Sequence, residues 1–189
     1  MSTFKKAIFL DRDGTLNVDP GYLSRPEQME LIPGVDEALS LLKQAGFQLV
    51  VVSNQSGVGR GLISPEALLK IHARLQQLLS PRHVSIDEFY LCYHHPQQDC
   101  ACRKPKPKLI LDAALELGIT LAESYMVGDK RSDIEAGWAA GCKSSLLVRT
   151  GEGLGTEKNW ADSGSGRLPG FIGNNLLEVC HWILRQPAL

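Results

Sequence analysis

Residues 7–15 read Ala-Ile-Phe-Leu-Asp-Arg-Asp-Gly-Thr, and this stretch decides the fold class. Its first four residues form a continuous apolar run, which is typical of a strand buried on both faces of a sheet. Asp11 and Asp13 follow at once, and two carboxylates at positions i and i+2 after a strand can project into one crevice. Their charges repel unless one takes up a proton or a divalent cation lies between them, and all-oxygen ligation suits magnesium. The alternatives are a polar turn or a calcium loop, although an EF-hand would need a third acidic or amide ligand before Gly14.

Strands and helices alternate along the rest of the chain. Apolar runs predict further strands at 49–52, 88–92, 125–127 and 145–148. Amphipathic stretches bounded by Gly, Pro or Ser predict helices at 35–45, 65–79, 107–117, 132–140 and 175–185. The Gly- and Ser-rich segment 151–173 is predicted to be loop. The alternation predicts an α/β fold, a three-layer, Rossmann-like parallel sheet with helices on both faces, formed by a single domain over residues 1–189.

Polar residues follow the predicted strands. Because ligands bind at the carboxyl ends of strands in such sheets, we expect one site to assemble from four parts of the chain. These parts are Asp11 and Asp13, Ser53 to Gln55, Arg103 and Lys104, and Asp129 and Asp133. Each part by itself is more often a helix cap or a solvated charge. Together they supply oxyanion donors, a fixed positive charge and a third carboxylate for a cation, which are the requirements of a phosphoryl site.

Composition and charge limit the kinds of partner that the protein is expected to bind. The chain has 189 residues and a formal net charge of -1, so it has no basic field to attract nucleic acid. The longest apolar run, 47–52, is too short to span a bilayer. Residues 1–6 lead directly into the first strand without a signal-peptide pattern. We therefore expect a cytoplasmic protein with no membrane or nucleic-acid partner.

Three of the five cysteines cluster with one histidine, at Cys92, His94, Cys100 and Cys102. In a cytosolic chain such a cluster favours a metal over disulfides. Three thiolates and one imidazole make a closed tetrahedral zinc site, so residues 92–102 are predicted to form a structural zinc loop, with incidental thiols as the alternative. Cys142 and Cys180 stand alone in apolar surroundings and are expected to be core residues.

The ordered motifs closely resemble those of the haloacid-dehalogenase-like (HAD-like) phosphohydrolases over roughly residues 7–150. The resemblance implies a magnesium-dependent phosphatase that works through an aspartyl-phosphate intermediate. It implies that Asp11 is the nucleophile and Asp13 the general acid and base. The remaining motif residues would hold the phosphate, at Ser53 and Lys104, and the magnesium ion, at Asp11, Asp13 and Asp129. Asp133 matches a supporting or occasional ligand.

Two features resemble one subgroup of that family. The gaps between the motifs, 13–53 and 54–104, leave no room for a cap domain, and Cys-x-His and Cys-x-Cys pairs precede Arg103. The capless zinc-loop subgroup contains heptose-bisphosphate and histidinol-phosphate phosphatases, and the likeness is greater to the former. It implies hydrolysis of the 7-phosphate of D-glycero-D-manno-heptose 1,7-bisphosphate, in the biosynthesis of activated heptose for lipopolysaccharide. It further implies these substrate-binding residues: Asp19, Tyr22, Ser53, Asn54, Gln55, Arg103, Lys104 and Lys130.

Other interpretations of the function remain open at this point. A histidinol-phosphate phosphatase would share the motifs and differ in the leaving group. A zinc-stabilised binding module with a vestigial site is disfavoured by the intact Asp11, Asp13, Lys104 and Asp129. A polynucleotide end phosphatase is disfavoured by the net charge and by the lack of a basic, aromatic stripe. We expect the protein to act as a monomer.

Overall fold

A computed structural model describes residues 5–162 and 167–187. The remaining positions of the predicted domain, 1–4, 163–166 and 188–189, lie outside the described residues. The strands are β1 (Lys6–Leu10), β2 (Phe47–Asn54), β3 (Glu88–Cys92), β4 (Tyr125–Gly128), β5 (Ser144–Val148) and β6 (Phe171–Gly173). The helices are α1 (Val35–Gln44), α2 (Ser56–Gly59), α3 (Pro65–Leu79), α4 (Lys108–Leu117), α5 (Arg131–Ala140), α6 (Gly153–Asp162) and α7 (Leu176–Leu184).

The strands form one parallel sheet in the order β3-β2-β1-β4-β5-β6. The chain runs outward from β1 in one direction through β2 and β3, and in the other through β4, β5 and β6. The strand order therefore reverses between β1 and β4. In an open parallel sheet this switch point is where a crevice opens at the carboxyl ends of the strands.

Alternation along β1 explains why its run is apolar throughout. Ile8 and Leu10 belong to the core beneath α1, α3 and α7, whereas Ala7 and Phe9 belong to the core beneath α4 and α5. Successive side chains of a strand point to opposite faces, so a strand covered on both sides needs no polar position. The predicted three-layer α/β fold is confirmed. Among the described residues no helix has the length and apolarity required to cross a membrane.

The prediction that 151–173 is loop was wrong. Within it lie α6 and β6, and β6 pairs with β5, with Ile172 opposite Leu147. Trp160 anchors the helix, since its indole is buried, packs edge-on against Trp138 and donates a hydrogen bond to the Arg167 carbonyl at 3.1 Å. This burial outweighs the low helix propensity of a Gly-rich segment, which is a tertiary effect that local composition does not reveal.

Candidate active site

A cavity of about 300 Å³ opens at the carboxyl ends of the central strands. It contains most of the predicted catalytic and substrate-binding residues in its lining: Asp11, Asp13, Asp19, Tyr22, Ser53, Asn54, Gln55, Lys104 and Lys130. Asp133 also lines it, and Asp129 follows β4 directly. The four separated parts of the chain therefore converge at the switch point, as the sequence predicts.

Asp11 is a buried carboxylate at the centre of this group. Its Oδ1 accepts a hydrogen bond from the Ser53 hydroxyl at 2.8 Å and lies 3.0 Å from the Lys104 ammonium. Burial raises the pKa of Asp11, but the charge of Lys104, followed by that of Lys130, outweighs burial and lowers the pKa below its ordinary value. Asp11 is thus held in the ionised form that a nucleophile requires.

Lys104 is 3% exposed, and each of the three donors of its ammonium group has a partner. Its Nζ lies 2.6 Å from Asp133 Oδ1 and donates to the Val52 carbonyl at 2.7 Å, in addition to its contact with Asp11. Burial lowers the pKa of Lys104, but the adjacent charges of Asp11 and Asp133 raise it overall. An ammonium group has three donors, so Lys104 is a fixed positive charge with a single orientation.

Asp11, Asp129 and Asp133 each offer a carboxylate oxygen, and these oxygens lie within 4.8 Å of one another. Burial and the charges of Asp11 and Asp133 raise the pKa of Asp129 to about 7. Burial also raises the pKa of Asp133, to about 6, although Lys104 opposes this shift. Excess negative charge on buried oxygens fits a divalent cation such as magnesium.

Glycines pack closely around Asp129. A Cβ atom at Gly14 would lie 2.3 Å from Asp129 Oδ2, and one at Gly151 would lie 2.4 Å from it. Both glycines have positive φ angles, 84° and 58°. The same carboxylate oxygen accepts a hydrogen bond from the main-chain N–H of Glu152 at 2.9 Å. Gly14 and Gly151 are therefore required both by their backbone conformation and by the approach of Asp129.

Asp13 has different surroundings. It accepts five hydrogen bonds, from Arg12, Asn17 and Gln55. Its carboxylate is not part of the three-carboxylate cluster found among the described residues, because these donors hold it elsewhere. The predicted magnesium set named Asp13. A contribution from Asp13 would have to come from its main-chain carbonyl oxygen, and that part of the set stays a prediction.

Two of the residues predicted to bind substrate, Asn54 and Gln55, also support their neighbours, and their substrate-binding role stays a prediction. The Asn54 side chain bonds to both main-chain polar groups of Lys104, accepting from its N–H at 3.1 Å and donating to its carbonyl at 3.2 Å. Gln55 Nε2 lies 2.9 Å from Asp13 Oδ2 and 3.0 Å from Ser53 Oγ. These contacts place Lys104, Asp13 and Ser53 relative to one another.

The rim of the cavity carries Asp19, Tyr22 and Lys130. Lys130 Nζ lies 3.8 Å from Asp19 and 3.5 Å from Glu152, while Tyr22 is 44% exposed. Partial burial lowers the pKa of Lys130, but the charges of Asp129 and Asp11 raise it above its ordinary value. Lys130 is therefore a positive group at the mouth of the cavity.

The structure does not bring Arg103 to this cavity. Its guanidinium donates a hydrogen bond to the His94 carbonyl within the zinc loop, and Arg103 is absent from the cavity lining among the described residues. Its substrate-binding role stays a prediction.

The predicted zinc ligands lie together. Cys92 Sγ is 3.6 Å from both His94 Nδ1 and Cys100 Sγ; Cys102 Sγ is 3.2 Å from His94 Nδ1 and 3.9 Å from Cys100 Sγ. A tetrahedron with Zn–S bonds of about 2.3 Å has edges of about 3.8 Å, so the donor set fits zinc. All four positions are filled by protein, which is the arrangement of a structural site. As predicted, Cys142 and Cys180 are buried in the two cores.

Both ends of the zinc loop are fastened to the end of β2 and the residue after it. The Gln55 N–H donates to the Cys92 carbonyl at 2.8 Å, and Asn54 holds Lys104. In between, α2 packs so closely on the loop that a Cβ atom at Gly59 would lie 2.3 Å from the Tyr93 carbonyl oxygen. The position of the loop thus fixes the position of Lys104 in the site.

Sequence reasoning left several supporting residues of the site unassigned. Arg12, Asn17 and Thr15 are all buried, and Thr15 Oγ1 lies 3.5 Å from Asp129 Oδ1. The signal for Arg12 was a charged residue set between two carboxylates directly after a buried strand. Nothing in the sequence singled out Glu152, because its contact with Asp129 is made by a main-chain N–H that any residue except proline could supply.

Known proteins with similar sequences support the resemblance. A family model described as HAD-hydrolase-like matches residues 101–179. The D-glycero-beta-D-manno-heptose-1,7-bisphosphate 7-phosphatase of Pasteurella multocida is 47% identical over 154 residues, which cover 78% of this chain and 84% of the relative. The Escherichia coli K12 protein of the same name is 46% identical over 188 residues, covering 95% of this chain and 94% of the relative. This chain belongs to the heptose-bisphosphate 7-phosphatase family.

Comparison with solved structures also leads to the heptose-bisphosphate 7-phosphatase family. A crystal structure of D,D-heptose 1,7-bisphosphate phosphatase from B. bronchiseptica, complexed with magnesium and phosphate, superposes with a TM-score of 0.88 at 33% identity. The match covers 96% of this chain and 99% of that one. The predicted family and its capless HAD-like fold are therefore confirmed.

Proposed function

We propose that this protein hydrolyses the 7-phosphate of D-glycero-β-D-manno-heptose 1,7-bisphosphate, which yields inorganic phosphate and the sugar 1-phosphate. The names of the relatives from Pasteurella multocida and Escherichia coli support the substrate and its β anomer. The observation that carries the reaction type is the buried, ionised Asp11, held by Ser53 and Lys104 at the floor of the cavity.

In the first proposed step, an Asp11 oxygen attacks phosphorus while the bond from phosphorus to the sugar O7 breaks. The electron pair of that bond goes to O7, which takes a proton from Asp13. In the second step a water attacks the phosphorus of the aspartyl-phosphate and gives a proton to the Asp13 carboxylate. The bond to Asp11 breaks, which regenerates both residues and releases phosphate.

Ser53 and Lys104 are proposed to hold the transferring phosphoryl group. Their donors already converge on Asp11, so a phosphoryl oxygen beside Asp11 lies within reach of both. Asp11 and Asp129 would hold magnesium with Asp133 close by, and the relative from B. bronchiseptica was crystallised with magnesium and phosphate. Magnesium, when bound, offsets negative charge on the carboxylates and on the phosphoryl oxygens.

The far end of the substrate is proposed to meet the rim. Lys130 is the rim cation within the cavity lining and suits the second phosphate, while Asp19 and Tyr22 offer groups to the sugar hydroxyls. Arg103 is proposed to reach this end of the substrate only if it leaves the His94 carbonyl.

We further propose a cytoplasmic monomer with structural zinc and no nucleic-acid or membrane partner. None of the five cysteines forms a disulfide, which suits a reducing compartment.

The test is phosphate release from the β and α anomers of heptose 1,7-bisphosphate and from histidinol phosphate, assayed side by side with magnesium. We expect kcat/KM to be greatest for the β anomer, with histidinol phosphate at least about a hundredfold poorer. NMR of the product should show phosphate retained at position 1. Preference for histidinol phosphate, or loss of the 1-phosphate, would overturn the proposal.

A further inference from the structure

Arg12 is as deeply buried as Asp129 and Asp133, with 1% of its surface exposed. Its guanidinium donates hydrogen bonds to both oxygens of the Asp13 carboxylate. Nε and Nη2 lie 3.0 Å and 2.8 Å, respectively, from Oδ1, and Nη2 also lies 2.7 Å from Oδ2. A buried guanidinium needs a compensating anion, and Asp13 provides it. Arg12 has no role in the mechanism described above.

The two oxygens of Asp13 are held differently. Oδ1 also accepts from Asn17 Nδ2 at 3.0 Å, and Asn17 is fully buried, so three donors crowd this oxygen on the side of the core. Oδ2 has one partner besides the guanidinium, Gln55 Nε2 at 2.9 Å. Gln55 in turn contacts Ser53, whose hydroxyl donates to Asp11. Oδ2 is therefore linked to the nucleophile through Gln55 and Ser53, whereas the donors of Oδ1 are Arg12 and Asn17.

We propose that Arg12 is a positioning residue that fixes Asp13 through Oδ1, so that Oδ2 delivers the proton to the leaving alkoxide and later takes one from water. Oδ1 has no remaining lone pair for a proton. Oδ2 has two donors, Arg12 Nη2 and Gln55 Nε2, and it can carry a proton when the Gln55 amide turns to present its oxygen, which also breaks the contact of Nε2 with Ser53. A lysine at position 12 would keep the positive charge but could not form the fork.

This inference rests on the proposed phosphatase function, and the leaving group tests it. An alkoxide such as O7 of the sugar needs a proton as it departs, whereas p-nitrophenolate departs without one. Both substrates phosphorylate Asp11 and use the same phosphate-holding groups. The value of kcat/KM reports only steps up to that phosphorylation, so a misplaced Asp13 should penalise the alkyl substrate selectively.

We expect Arg12→Lys to lower kcat/KM for heptose 1,7-bisphosphate by about ten- to hundredfold, within the range that general acid catalysis contributes. The value for p-nitrophenyl phosphate should fall by less than about threefold. In an Asp13→Asn background, where the acid is already absent, Arg12→Lys should change the alkyl rate by less than about twofold. Asn17→Ser, which removes another donor from Oδ1 and keeps the guanidinium, should produce the same selectivity and decides the matter if Arg12→Lys does not fold.

Parallel losses on both substrates, or full additivity with Asp13→Asn, would overturn the role of Arg12. Failure of the proposed substrate is a separate result. If the wild-type protein does not hydrolyse heptose 1,7-bisphosphate, the same ratio is measured with glycerol 3-phosphate as the alkyl ester.

Discussion

Lys104 Nζ lies 3.0 Å from Asp11 Oδ1, and both side chains are buried. These residues are separated by most of two βα units, and the Asn54 contacts to the Lys104 main chain bring them together. The pair keeps the proposed nucleophile ionised and leaves a positive charge where a phosphoryl group would arrive. The site is therefore electrostatically organised before substrate binds.

Lys104→Met should lower kcat/KM by at least about a hundredfold for every phosphate ester, since it removes a preorganised charge from the reacting group. The length of the side chain is nearly preserved, but Asp11 and Asp133 lose their shared partner. Lys108→Met is the matched control, because Lys108 is exposed and pairs with Asp112 on the surface of α4. Steady-state kinetics on both variants checks this. A Lys104→Met enzyme as active as the control would contradict the role of the ion pair.

Asp129→Asn should stabilise the metal-free protein at pH 8. Burial and neighbouring charges raise the pKa of Asp129 to about 7 from 3.8, so the fold loses stability as pH rises through that interval and Asp129 ionises. Asparagine removes the charge and keeps the shape. We expect Tm to rise by about 3 °C or more without magnesium. The rise in Tm that magnesium gives the wild type should disappear.

Thermal unfolding with EDTA and with magnesium measures both effects. Asp112→Asn, at a partly exposed aspartate paired with Lys108, is the control and should keep the magnesium response. An undiminished magnesium response in Asp129→Asn would show that the cation binds elsewhere.

His94→Gln should abolish the binding of one equivalent of zinc, while His95→Gln should retain it. His94 Nδ1 faces Cys92 and Cys102, whereas His95 Nδ1 accepts a local hydrogen bond from the Gln97 N–H. Because the loop is fastened at both ends to a larger core, zinc loss should disorder residues 92–106 without global unfolding. Elemental analysis and hydrogen exchange resolve this. Protein purified without chelator that contains no zinc would contradict the site.

His72 should make the fold acid-sensitive. Burial, and then the charge of Arg12, lower the pKa of His72 from 6.5 to about 4. Above pH 6.5 the imidazole is neutral in both states and has no effect. As pH falls from 6.5 toward 4, His72 becomes protonated in the unfolded chain but stays neutral in the folded chain. The free energy of unfolding therefore falls by up to about 3 kcal/mol over this pH range.

His72→Phe should flatten this acid limb, since a phenyl ring can keep the stacking on Phe89 without titrating. His181→Gln, at an exposed position on α7, should leave the limb unchanged. Urea unfolding at several pH values compares the variants. An acid limb equally steep in His72→Phe would assign it to other groups.

The parts of the fold that sequence predicted are those governed by local pattern. The apolar run from Ala7 to Leu10 and the polar residues directly after the strands define the sheet and the edge that carries the site. The parts that sequence missed depend on contacts across the chain. Trp160 makes α6 a helix by packing against Trp138, and Arg103 turns toward His94. The position of Arg12 between two carboxylates after a buried strand indicates that it belongs to the site, but its contact with Asp13 and its burial depend on the packed structure.

The central claim is that phosphate passes through Asp11, and acid-quenched single turnovers with heptose 1,7-bisphosphate test it most directly. Mass spectrometry of the digested wild-type enzyme should find one phosphoryl group on the peptide that contains Asp11, and it should disappear as phosphate is released. Asp11→Asn should fold normally, show no adduct and have no turnover. Retention by Asp11→Asn of even about a tenth of wild-type activity would contradict covalent catalysis at this residue.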